Sequence, residues 1–151
     1  MVLSVFAIGA DSWAQRYLGG RWQGNYDVIM PVPGRTVGQA LLGTVHDPSH
    51  PLMDGVATFD GGVRSCRPTT TQLARGATSI AEWDDGRILV AAGPMPNRVD
   101  LSFYPPSSIC ASVWWVRSTN GDELLVNALL YSAGAERLGT TYCSPAVPNS
   151  T

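Results

Sequence analysis

The apolar positions of this chain fall into short runs separated by polar stretches rich in glycine and proline. Residues 2–8 form one continuous apolar run with β-branched and aromatic members, a pattern that predicts a central strand buried on both faces of a parallel sheet. From residue 9 to residue 35 the pattern dissolves around isolated rings (Trp13, Tyr17, Trp22, Tyr26), predicting a long surface loop. Within it, Ser12 is placed to cap one helical turn reaching Tyr17. Residues 36–45 read as an extended segment. It is closed by His46-Asp47-Pro48-Ser49-His50-Pro51, whose prolines impose turn or extended geometry. Residues 52–56 read as a turn of helix stopped by Gly55, and Asp60-Gly61-Gly62 as a reverse turn.

The region 77–103 is the most regular. It predicts three strands, at 77–83, 87–92 and 98–103, the first two joined by a hairpin through Asp84-Asp85-Gly86, because Asp-Gly supplies the positive φ angles of a tight turn. The alternation in Val99-Asp100-Leu101-Ser102-Phe103 predicts a half-exposed or edge strand, ended at Tyr104-Pro105-Pro106. Residues 123–133 predict the best helix of the chain. The segment Thr119-Asn120-Gly121-Asp122 leads into it with a capping residue, acids occupy its first turn, and Gly134 stops it. The fold class expected is α/β, a partial flavodoxin-like sheet with a long loop region and a C-terminal β-hairpin plus helix; a β-rich α+β fold is the alternative. One domain spans residues 1–134, followed by a flexible tail at 135–151.

Composition narrows the function classes. With 151 residues, one core is the default. All ten basic residues are arginine, and against twelve acidic ones they leave a net charge of -2, which gives no reason to expect nucleic acid or an anionic membrane as partner. No apolar run approaches the roughly 20 residues of a membrane-spanning helix. Without lysine the chain can hold neither a phosphate-loop lysine nor a Schiff base, and its glycines form no GxGxxG. Cys66, Cys110 and Cys143 lack a CxxC pair, so neither a zinc knuckle nor a dithiol motif is written; one disulfide plus a thiol, or three thiols, both fit. No metal or other cofactor is expected. The compartment stays open, with extracellular favoured over cytoplasmic.

Three groups of residues are candidates for chemistry or binding. Both histidines lie in one pentapeptide, so a hydrolase based on imidazole would use His46, Asp47 and His50; the structural reading, in which these residues bond their own turn, is favoured. No GxSxG or GxCxG elbow accompanies them. Asp84-Asp85 reads as a hairpin tip rather than a catalytic carboxylate pair. The rings Trp13, Trp22, Trp114 and Trp115, with Tyr104, are candidates for a lectin-type face binding a sugar or other small molecule, against the plainer reading that they pin loops to the core.

The segments 47–56, 77–90, 99–107 and 123–131, the last with Asn127, together resemble the later part of the class I glutamine amidotransferase-like superfamily, near its ThuA-like and trimerisation-type branch. That resemblance implies a flavodoxin-like α/β sandwich. It also implies a lost activity. Catalytic members end the final strand in Phe-His-Pro-Glu, whereas this chain has Phe103-Tyr104-Pro105-Pro106, and no cysteine lies near the elbow position at Ala7-Ile8-Gly9. Further βα units would precede the strand at residue 2, so the missing strands are expected from another chain, from self-pairing or from a longer protein. The function expected is a non-catalytic interaction or assembly module with a protein partner or a second copy, in its relatives attached to secreted multidomain proteins.

Overall fold

The computed structural model describes residues 2–5, 26–30, 34–69, 72–103 and 114–135. In chain order these form β1 (Val2–Val5), β2 (Arg35–Val37), β3 (Leu42–Val45), a 3₁₀ turn (Pro51–Met53), β4 (Cys66–Pro68), β5 (Thr78–Trp83), β6 (Ile88–Ala92), β7 (Arg98–Leu101) and helix α1 (Gly121–Ala133). The main sheet runs β1-β7-β6-β5-β3, and β2 pairs with β4 in a small second sheet. Within the main sheet only β1 and β7 are parallel; the other pairings are antiparallel. The described fold is therefore mixed and β-rich, of α+β type, and only β1–β7 has the pairing that a flavodoxin-like sheet uses throughout. No helix among the described residues is long and apolar enough to cross a membrane.

The three regular strands form where the pattern predicts them. At their hairpin Gly86 adopts φ 78° and its N–H donates to the Trp83 carbonyl at 2.9 Å. Helix α1 also forms, starting two residues early, at Gly121. Its C-terminus is closed by Gly134 at φ 66°, whose N–H reaches the Leu130 and Tyr131 carbonyls. Asn120 stands at the N-cap but does not cap the helix with its side chain. Its Oδ1 instead accepts from the N–H groups of Ala57 and Thr58, at 3.1 and 2.9 Å, stitching the helix entry to the preceding loop.

Three expectations are corrected. The strand at residue 2 ends the sheet among the described residues instead of lying centrally; it pairs with β7 alone. The extended segment 36–45 is two strands in different sheets, parted at Gly38, where φ is 128°. β7 is neither half-exposed nor an edge strand: all four residues are buried between β1 and β6. Its alternation is real but separates two covered faces. Val99 and Leu101 enter the main core, while Arg98 and Asp100 lie on the other face, under residues 26–30. There the Asp100 carboxylate accepts from the N–H groups of Val28 and Ile29, at 2.9 and 3.1 Å, and pairs with the Arg98 guanidinium at 2.8 Å. Arg98 also donates through Nε to the Tyr26 carbonyl.

The main core lies between the sheet and α1. Phe59 is its hub, with ring centroids 5.3 Å from Trp83, 4.9 Å from Phe103 and 6.3 Å from Trp115. The buried Trp83 indole N–H donates to the Ser102 hydroxyl at 3.0 Å, and that hydroxyl donates to the Ile88 carbonyl, so the one polar edge of the ring is satisfied. A second cluster of Val28, Ile29, Ile88 and Ala91 packs the opposite side of the sheet.

Candidate functional site

The turn that follows β3 spreads the three hydrolase candidates over different partners. His46, at the end of β3, pairs through Nε2 with the Glu82 carboxylate on β5 at 2.9 Å. Asp47 closes an Asx turn: its Oδ1 accepts from the hydroxyl and the N–H of Ser49, at 2.7 and 3.1 Å. The bond from the Ser49 hydroxyl holds the Asp47 carboxyl below the usual carboxylate range. His50 stands at the N-cap of the 3₁₀ turn, where Nδ1 accepts from the Leu52 N–H at 3.2 Å. Burial lowers its pKa from the ordinary 6.5, with the Asp47 charge opposing. The three side chains thus act in the turn's own geometry and do not converge on a common point. Among the described residues no group of three or more His, Cys, Asp or Glu side chains is placed to hold a metal ion.

The aromatic candidates divide. Trp115 is a core residue, 6% exposed, so it offers no ring to a ligand. It is drawn inward because Gly121 lacks a side chain: a Cβ there would lie 2.5 Å from the Trp115 ring. Trp114 is half-buried and packs at the margin of the same core. Trp13, Trp22 and Tyr104 lie outside the described residues, as do Cys110 and Cys143; Cys66 is buried on β4.

Asp85 serves the hairpin as a charge hub. Burial pushes its carboxyl up, but the bond from Arg67, the Arg87 N–H and the charges of both arginines outweigh that and hold it below the usual range. Arg67, reaching over from β4, donates to Asp85 through Nε at 2.7 Å and to the Gly38 carbonyl at 2.9 Å. Its guanidinium lies 5.7 Å from the centre of the Trp83 ring, so it fastens the small sheet to the large one. This confirms the hairpin-tip reading of Asp84-Asp85.

A cavity of about 700 Å³ opens between the 3₁₀ turn, the C-terminal end of α1 and the turn before β7. Its polar lining comes from Ser49, His50, Asp54, Asn97, Asn127 and Tyr131. Asn127 is buried on α1, and its Nδ2 donates to the Leu52 and Asp54 carbonyls, at 3.2 and 2.7 Å, which ties the helix to the 3₁₀ turn. The Tyr131 ring, one helical turn further on, packs 5.2 Å from the His50 ring at 49°. Asn97 adopts φ 61°, the left-handed conformation that asparagine tolerates better than most side chains, and so turns the chain into β7. Sequence reasoning singles out only His50 of this group as a site residue. The cavity opens at the start of β7, whereas Phe103, beside which the resemblance would place catalytic residues, lies about 20 Å along the strand at about 3.3 Å per residue.

No protein-family model matches this chain, and no curated protein matches it either.

Proposed function

We propose that this chain is a non-catalytic, amidotransferase-like module that works by assembly, its sheet continued by a strand from a second copy. The observation that carries the reading is the position of β1. It is an uncharged strand, Val-Leu-Ser-Val, that ends the sheet with no strand on its outer side among the described residues. An edge of that kind is a template for pairing, and two identical uncharged edges meet about a twofold axis without repulsion. Helix α1, which packs over β1 and β7, presents Val126 and Leu129 to solvent, 43% and 52% exposed, as a helix does when it is built for cover on both sides. The parallel β1–β7 pair followed by a helix is also the arrangement that a flavodoxin-like sheet would have at this point. Tyr104 and Pro106 stand where the resemblance places the catalytic His and Glu, and neither side chain can act as base or orienter.

Sedimentation velocity across a concentration series tests this reading. Wild-type protein should associate reversibly, and Val126→Glu/Leu129→Glu, which alters only exposed positions, should stay folded and shift to the monomer. A protein that is monomeric at every concentration overturns the proposal, as does glutaminase turnover that is abolished by changing Tyr104.

A further inference from the structure

We infer that the cavity lined by His50, Asn127 and Tyr131 binds a small, neutral, polyhydroxylated molecule of mono- to disaccharide size. The site lies at the opposite end of β7 from the position at which the resemblance would place catalysis.

The first observation is the Asn127 carboxamide, which is 3% exposed. Two bonds from Nδ2 to backbone carbonyls fix which way the amide points, since carbonyl oxygens accept only from its nitrogen. Its Oδ1 is left as an acceptor with no donor among the described residues, on a side chain that lines the cavity. Because this oxygen opens to the cavity, a ligand hydroxyl that donates to it takes the place of solvent there. The second observation is the His50 tautomer. With Nδ1 occupied by the Leu52 N–H, the neutral ring carries its proton on Nε2, which has no partner among the described residues and is a donor for a ligand. A hydroxyl serves both groups, donating to Asn127 and accepting from His50, and a molecule with several hydroxyls meets both at once.

The remaining lining narrows the class. The tilted rings of Tyr131 and His50 offer apolar faces of the kind on which the C–H side of a sugar ring packs. Among the described residues Asp54 is the one carboxylate of the lining and no arginine contributes to it, so the described lining offers phosphates and carboxylates no counter-charge. The volume, about 700 Å³, lies within the roughly 300–1,000 Å³ of small-molecule sites.

The test is a titration of ¹⁵N-labelled protein with glucose, galactose, mannose and maltose, with inorganic phosphate and glucuronate as anionic arms. The expected result is saturable movement of the Asn127 side-chain amide and the His50 resonances with at least one neutral sugar and with neither anion. Tyr131→Ser should weaken that binding at least tenfold. Asn97→Gly keeps the positive φ while removing an exposed amide at the cavity rim, and should weaken it severalfold in a protein that stays folded. The inference is overturned if none of the four sugars moves Asn127, if an anion binds there instead, or if the affinity is unchanged in Asn97→Gly.

Discussion

Replacing Gly121 with alanine sets two physical effects of opposite sign against each other. Gly121 opens α1 with an ordinary helical φ, so intrinsic propensity alone favours alanine there by at most about 1 kcal/mol. The structure reverses that sign. An added Cβ would lie 2.5 and 2.6 Å from Cε3 and Cζ3 of Trp115 and 2.9 Å from Cε2 of Phe59, closer than real methyl contacts come. Both rings are buried and in contact with Trp83 and Phe103 or with each other, so neither can swing aside without disturbing the hub of the core. A methyl pressed against two buried rings falls in the upper part of the usual overpacking range, about 2–3 kcal/mol, and a propensity gain of about 1 kcal/mol leaves a net loss of about 1–2 kcal/mol. For a chain of this size that is a fall in Tm of about 2–8 °C, with an unchanged urea m-value. Urea melts followed by tryptophan fluorescence measure it. In a Trp115→Leu background the two closest clashing atoms are gone, leaving Phe59 Cε2 at 2.9 Å, and Gly121→Ala should cost markedly less, so the double-mutant cycle should return a coupling above about 1 kcal/mol. If Gly121→Ala is as stable as wild type, or if its cost is the same in both backgrounds, the close approach of α1 to Trp115 is wrong.

Two further substitutions probe polar groups. Asp100→Ala removes the acceptor of the Val28 and Ile29 N–H groups and the carboxylate paired with the buried Arg98, a loss of about 3–5 kcal/mol in the same urea melts; a loss below about 1 kcal/mol would mean that residues 26–30 do not cover that face of the sheet. His50 is neutral in the folded protein because burial depresses its pKa, so its contribution is fully present above the unfolded value of 6.5 and is lost as pH falls below that value through the folded one. Protonation also removes the Nδ1 lone pair that receives the Leu52 N–H, and His50→Asn should therefore flatten the stability profile below pH 6.5. A profile unchanged by the substitution would refute the tautomer.

The local elements of this fold were legible because each has its cause within a few residues. Asp84-Asp85-Gly86 turns the chain whatever lies around it, Gly134 stops a helix from its own φ, and the apolar positions 124, 125 and 128 build one helical face. What was not legible depended on partners distant in the chain. Alternation in β7 was read as exposure because Arg98 and Asp100 are ordinarily solvated, yet residues more than 70 positions earlier supply the backbone donors that make the burial of Asp100 tolerable. The short strands β2 and β4 carry no periodicity of their own; Arg67 on β4 is held by Asp85, a contact that no local pattern announces.

The same distinction bears on His50, which the sequence reading grouped with His46 and Asp47 while favouring a structural role for all three. Adjacency in the chain suggested a unit of His46, Asp47 and His50, but a turn built on two prolines points neighbouring side chains in different directions, and each here satisfies a separate local bond. The groups that do meet around His50 come from two other segments, Asn97 from the turn into β7 and Asn127 and Tyr131 from α1. Asn127 is the amide on the buried face of α1, beside Leu124 and Ala128. An amide in that setting must find partners, and two carbonyls of the 3₁₀ turn take its donors while its acceptor stays open to the cavity. A buried amide on the packed face of a helix therefore marks the place where a second segment docks, and the half of its hydrogen-bonding capacity that docking does not use is what makes the junction a site for a ligand.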